Sequence, residues 1–224
     1  MRAGFLLSMM LFASAALAAD ATQLAAGAAS SVMLEGSSNV TDWRCRGTSI
    51  DARMLVATSA KHINEVIDRI EDGNISVWMS NPSQGRFPQP EFDLTVSIAA
   101  IRCGNRVMES DMRRALKADR FPTVQFSFRE LRGGIHHDLD TGLYHASIAG
   151  DLTLAGVTRS IDLTVSAQRV SRSAFRLHAV LPLQMTDYGV TPPTALFGAI
   201  RARNKLTVTF DLILEIAPGS RGQS

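Results

Sequence analysis

The side chains in this sequence that could carry chemistry are few and scattered. His136-His137-Asp138 sets three ligating groups in a row, Cys45 and Cys103 supply two thiols, and Asp187-Tyr188 places an acid beside a phenol. Adjacent residues in a strand or turn point apart, so the His-His-Asp run needs further ligands before it can hold a metal, and spacing places none. It reads instead as the exposed turn of a hairpin loop. The two cysteines lack metal-site spacing. In an exported chain they pair as a Cys45–Cys103 disulfide, the alternative being two buried thiols that pack as small apolar groups. No G-x-S-x-G, H-E-x-x-H, Walker A or C-x-x-C pattern occurs. No catalytic residue, metal or cofactor is therefore assigned, and the expectation is a protein that is not an enzyme. Asp187 and Tyr188 would be the candidates if the scaffold acted on a lipid head group.

Charge narrows the partners. Lys and Arg number 23 against 21 Asp and Glu, a formal net charge of +2. So near a balance gives no electrostatic case for nucleic acid or for an anionic lipid surface. The basic groups Arg113, Arg114, Lys117, Arg120 and Arg201, Arg203, Lys205 read as solvated faces. The opening run MRAGFLLSMMLFASAALAAD has a basic start, an apolar stretch and Ala16-Leu17-Ala18, the pattern of a cleaved signal peptide over residues 1–18. It is too short to span a bilayer, so no transmembrane segment is expected and the periplasm is the expected compartment. Residues 19–31, rich in Ala, Ser and Gly, read as a flexible segment. A single domain over 32–217 and a tail over 218–224 follow.

What must position any site is a set of strands. Leu206, Val208, Phe210, Leu212 and Leu214 are apolar at every second position, as are Phe175, Leu177, Ala179 and Leu181. Val124, Phe126 and Phe128, then Leu94, Val96 and Ile98, then Ile50, Ala52, Met54 and Val56 do the same. The stretch GDLTLAGVTRSIDLTVSA, residues 150–167, alternates twice around a Gly-Val-Thr hinge and predicts a hairpin with one dry face. Many short amphipathic strands predict an all-β fold, an antiparallel sheet that closes on itself or folds into a sandwich. Two helices interrupt it. Ile63, Val66, Ile67 and Ile70 share one face of the first, with Gly73 as its stop. Met108, Met112, Ala115 and Leu116 share one face of the second, over 108–118, which ends before Pro122. Both read as lids or plugs on the ends of a barrel.

The remaining question is the interior. Strand parity turns Trp43, Phe126, Phe128, Leu152, Leu154, Leu163, Val165, Phe175 and Leu177 inward, and a β-bulge would flip some of them. An eight-stranded closed sheet is wide enough either to be filled by such side chains or to hold one apolar ligand. Pattern alone leaves both open.

Four stretches carry a resemblance. SSNVTDWRCRG at 37–47, MESDMRRALKADRFPTVQFSF at 108–128, GDLTLAGVTRSIDLTV at 150–165 and the terminal TDYGV…FGAI…LTVTFDLIL resemble, in order, segments of the YceI-like family. The resemblance implies an extended, lipocalin-like antiparallel barrel of about eight strands, exported, with a channel that binds polyisoprenoid or another amphiphilic lipid. It also implies a carrier or storage role without catalysis. The nine inward residues above are then the expected ligand-binding set. The alternative is a filled-core structural or partner-binding module, and a homodimer is compatible with either. The sequence departs from the family in its cysteines and in an insertion over 59–91, which carries the first helix and a Pro82-Ser83…Pro88-Gln89-Pro90 loop.

Overall fold

The computed structural model describes residues 21–72 and 89–217. The run over 1–18 read as a signal peptide, Gly73 as the stop of the first helix, most of the proline-containing loop and the tail from 218 lie outside the described residues. Eleven strands are formed: β1 (Thr22–Ala26), β2 (Ser31–Ser38), β3 (Asp42–Gly47), β4 (Ile50–Val56), β5 (Glu91–Ser97), β6 (Thr123–Asp138), β7 (Leu143–Leu154), β8 (Val157–Ser171), β9 (Ala174–Gln184), β10 (Thr194–Ala195) and β11 (Ile200–Ile216). Pairing is antiparallel throughout, in the order β1-β4-β5-β6-β7-β8-β9-β11, and β11 then returns to β1. The sheet is thus a closed eight-stranded barrel with two helices, the lipocalin-like all-β fold expected. The β2–β3 hairpin extends the wall from β11.

Closure falls on a segment whose composition suggested a loose lead-in. Within 19–31, Thr22–Ala26 is strand β1, and Thr22, Leu24 and Ser30 are among the most buried residues of the chain. The Thr22 hydroxyl donates to the Thr58 carbonyl at 2.7 Å, and the Ser30 hydroxyl accepts from the Ile213 N–H at 3.0 Å. Buried, satisfied hydroxyls of this kind hold an otherwise plain Ala-rich strand in place. Its composition is small and polar because it packs in a crowded position, not because it is free.

The 150–167 hairpin forms with the expected faces, but its turn is Ala155-Gly156 rather than Gly-Val-Thr. Leu154 pairs Val157, and both turn residues have positive φ, 51° and 83°, as a two-residue primed turn requires. Thr158 belongs to β8, where its hydroxyl lies 2.8 Å from that of Thr153. A second difference concerns His136 and His137. The strand continues through them to Asp138, because bulges beside Arg129 and at Gly133-Gly134 absorb the extra residues, and only 139–142 is turn. His137 stacks on Tyr144 with ring centroids 4.4 Å apart.

The helices occupy opposite ends of the barrel. α1 (Ala60–Glu71) is capped by Ser59, whose side chain accepts from the His62 N–H. It lays Ile63 and Val66 into the core at the lower end, where the β6–β7 and β8–β9 turns lie. α2 (Arg106–Ala115) starts at Asn105, whose side chain accepts from the N–H groups of Val107 and Met108, and it lies at the upper end. Just ahead of it Cys45 and Cys103 are joined in a disulfide, and Arg46 and Arg102 exchange two backbone hydrogen bonds of 2.7 and 2.8 Å. These two links fasten β3, otherwise an edge, to the segment that leads into α2.

The disulfide closes a separation of 58 residues, for which chain entropy predicts about 4 kcal/mol of stabilisation. Cys45→Ser with Cys103→Ser should therefore lower the unfolding free energy by about 2–4 kcal/mol in a urea titration. No loss would mean that the bond constrains nothing the rest of the fold does not already hold.

Candidate functional site

The inward residues do not fill the barrel. They line two apolar cavities, one above the other, of about 360 Å³ and 220 Å³. The upper is walled by Val96, Val124, Leu152, Leu154, Leu181 and Val208 and roofed by Met108 and Met112 of α2. The lower is walled by Leu94, Phe126, Phe128, Ile148, Leu163 and Leu212 and reaches Tyr144 and Pro90 near α1. Along each strand the assignment switches in step. On β5 it passes from Leu94 to Val96, on β6 from Phe126 to Val124, on β9 from Ala179 to Leu181.

Of the nine residues assigned by parity, Trp43, Leu152 and Leu154 line the upper cavity. Phe126, Phe128, Leu163, Val165 and Leu177 line the lower. Phe175 lines neither and packs against the core near the β8–β9 turn. A bulge occurs at Arg129, past the assigned Phe126 and Phe128, and beyond it the inward positions of β6 become Leu131 and Ile135. Parity reasoning also passed over the β9 and β11 residues Leu181, Leu183, Val208 and Phe210, although their alternation was plain.

Among the described residues Phe210 is the single one common to both linings, and it forms the waist between them. It is buried, as is Phe126 in the lower wall. Phe126 in turn depends on a glycine. A Cβ on Gly150 would fall 2.3 Å from Cζ of Phe126 and 2.6 Å from the Ser127 carbonyl, so only a residue without a side chain leaves room for the ring against β7. The same device recurs at the upper rim, where a Cβ on Gly36 would fall 2.2 Å from Cζ2 of Trp43.

A hollow of about 1030 Å³ is a different feature. It is an outer groove with charged walls, among them Glu35, Arg44, Arg159 and Lys205, and it shares Trp43, Leu181, Leu183 and Leu206 with the upper cavity. Beside it the wall parts. β8 and β9 pair only from Val165–Ala179 downward, leaving 157–164 and 180–184 unpaired with each other. Arg159 bridges the parting by donating to the Asp187 carbonyl at 2.8 Å. Asp187 and Tyr188 thus sit on the outer groove, with Tyr188 buried and its phenol pushed up by that burial. No group of three or more metal-ligating side chains occurs among the described residues.

Beyond Tyr144 at the edge of the lower cavity, α1 is held by a polar clamp. Arg169 donates to Asp68 at 2.6 Å and pairs with Glu71, Arg172 reaches Asp68 at 3.2 Å, and Tyr144 donates to Glu71 at 3.4 Å. The Arg169 hydrogen bond holds the Asp68 carboxyl below its usual range. Burial, with the Glu71 carboxylate beside it, pushes the Tyr144 phenol up to about 12. Burial opposes the Arg169 charge, and the two carboxylates more than restore it.

Two outcomes follow. Gly150→Ala should cost about 1–3 kcal/mol, since ring and backbone must both shift, and it should alter the aromatic near-UV dichroism that Phe126 contributes to. The clamp should hold α1 at neutral pH. Because the folded Asp68 pKa lies below the ordinary value of about 4, the contribution is complete above that value and is lost as pH falls through the lowered one. Amide exchange in α1 should be flat from neutral pH to about pH 5 once intrinsic rates are removed, and should accelerate in stronger acid. Arg169→Ala should accelerate it at neutral pH and remove most of the acid dependence, the two proteins converging in strong acid.

Comparison with known proteins bears on the same residues. A family model, the YceI-like domain, matches residues 35–214. Among solved structures, BcnA of Burkholderia cenocepacia superposes with a TM-score of 0.56 at 13% identity, over 84% of this chain and 98% of that one. A polyisoprenoid binding domain from Saccharophagus degradans, implicated in plant cell wall breakdown, gives a TM-score of 0.57 at 15% identity, over 87% of this chain and 98% of that one. At these identities the likeness is one of fold. A comparison with curated protein sequences finds no match.

Proposed function

We propose, from the premise that this chain belongs to the YceI-like family, that its barrel holds the hydrocarbon chain of a polyisoprenoid or similar long apolar lipid, as a carrier or store. The observation that carries this reading is the pair of apolar cavities left inside a closed, otherwise well-packed sheet. Interiors normally pack to crystal density, and empty space of this size lined by Leu, Val, Met and Phe is costly unless something occupies it. That one structural neighbour is a polyisoprenoid binding domain supports the choice of ligand class.

The energetics need no polar group to do the selecting. Each CH₂ leaving water gains roughly 0.8 kcal/mol, so about fifteen buried carbons gain roughly 12 kcal/mol before the cost of association is subtracted. Selection then comes from length and girth. The upper cavity takes the leading end of the chain under α2, and the waist at Phe210 limits how far it runs. The protein acts without catalysis, and the signal-like first residues support export to the periplasm, where a water-insoluble chain needs a carrier between membranes.

Organic extraction of the exported protein followed by mass spectrometry tests the reading. A bound prenyl species supports it, while empty extracts together with no uptake of added quinones or prenyl alcohols would sink it. The waist gives a sharper test. Across prenyl alcohols of increasing length, affinity in the wild type should stop rising once the upper cavity is full. In Phe210→Ala it should go on rising with length, despite a stability loss of about 3–5 kcal/mol. Identical length profiles would remove the waist from the account of selectivity.

A further inference from the structure

The mouth of the upper cavity is framed by three segments: the start of α2, the β2–β3 turn and the stretch from Pro193 to Ile200. Each presents one large apolar side chain to solvent. Val107 stands 66% exposed on α2, Val40 66% exposed in the β2–β3 turn, and Phe197 fully exposed between Thr194 and Ile200. Two of the segments are stitched together by Asn39, which donates to the Ala199 carbonyl at 2.9 Å and accepts from the Arg201 N–H at 2.7 Å.

Phe197 is the least expected of the three. Its φ is 56°, a left-handed conformation that a bulky side chain adopts only under constraint. A glycine would sit there at no cost, yet the position holds the largest exposed apolar side chain among the described residues. A fully solvated aromatic on a strained backbone has no stabilising part in the fold.

Charge lies around these tips. Arg106 and Arg113 on α2 and Arg201 and Arg203 at the start of β11 have no carboxylate within ion-pair distance among the described residues. The acids on α2 are already engaged, Asp111 by Arg114 at 2.9 Å and Glu109 by the Cys103 N–H at 3.0 Å. The basic groups that look like scattered solvated faces along the chain are therefore gathered at one end of the barrel, around an apolar tip. Apolar side chains ringed by unpaired arginines match the headgroup region of an anionic bilayer, where the tips reach the acyl boundary and the arginines the phosphates.

We infer that the upper mouth is a docking surface for an anionic phospholipid bilayer, with Phe197, Val107 and Val40 inserted and Arg106 and Arg203 among the cations against the phosphates. Docked in this way, the cavity opens toward the acyl chains, and an apolar ligand passes between membrane and barrel without crossing water. The inference rests on the ligand reading for its purpose, and on the exposed residues alone for its geometry.

The test is flotation of the full protein with vesicles of phosphatidylethanolamine and phosphatidylglycerol, beside vesicles of phosphatidylcholine alone. The protein should float with the anionic vesicles, less so as salt is raised, and stay behind with the neutral ones. Phe197→Gly suits the left-handed backbone better than phenylalanine, so it should melt at the same or a higher temperature while its vesicle affinity falls about tenfold or more. Arg106→Glu with Arg203→Glu should weaken binding by a similar factor, while an acid in the first turn of α2 favours the helix. No flotation of the wild type with anionic vesicles, or undiminished flotation of Phe197→Gly, overturns the inference. So does self-association through Phe197 in place of vesicle binding. Binding of a fluorescent prenyl alcohol without vesicles separates the two readings. Retained probe binding with no flotation removes the docking surface alone, and flotation without probe binding leaves the docking surface standing and removes the ligand.

Discussion

The barrel depends on three residue pairs. Leu24–Ile216, Ala25–Glu215 and Ala26–Leu214 join β1 to β11, and without them the sheet is an open ribbon with an exposed edge on either side. A strand of five residues can do this only because it is held from both flanks, by β4 on one side and by β11 on the other. The buried hydroxyls of Thr22 and Ser30 add anchors that small apolar residues could not supply. Once closed, the apolar side of every strand faces the same dry space. The cavities, the waist and the lids are consequences of that single closure.

Inside the closed wall, the distribution of space is governed by where side chains are missing. Gly150 and Gly36 each lie beneath an aromatic ring from a neighbouring strand. The ring can lie against the neighbouring strand because nothing stands under it, and the space beside it stays open. Phe210, common to both linings, divides one long interior into two shorter ones. The upper compartment is roofed by an amphipathic helix with methionines inward, whose unbranched chains fit an irregular space. Near the lower, α1 is held by ion pairs. The two ends differ in kind: one is roofed by apolar contact, the other latched by charge.

Much of the fold was legible because period-two alternation survives in β4 to β9 and in β11, and because the helices keep their apolar spacing at Ile63, Val66, Met108 and Met112. The inward residues of the hairpin followed from the same parity. What resisted was local. β1 has no alternation to read, since Ala on both faces of a crowded strand looks like a linker. The bulges at Arg129 and Gly133-Gly134 change the count without changing the composition, which hid the strand through His136 and His137. The waist was illegible for a different reason. It is made by Phe210, one apolar residue among many along β11, and only its place between the two cavities gives it a role.

The parting of β8 from β9 exposes two runs of backbone that a closed barrel would normally satisfy. Unpaired strand edges invite a strand from another molecule, which is how many β-proteins aggregate. Here β9 carries Pro182 in that stretch, a residue with no N–H to offer, and Arg159 spans the opening to the carbonyl of Asp187. The slit in the wall therefore comes with its own guard against intermolecular sheet growth.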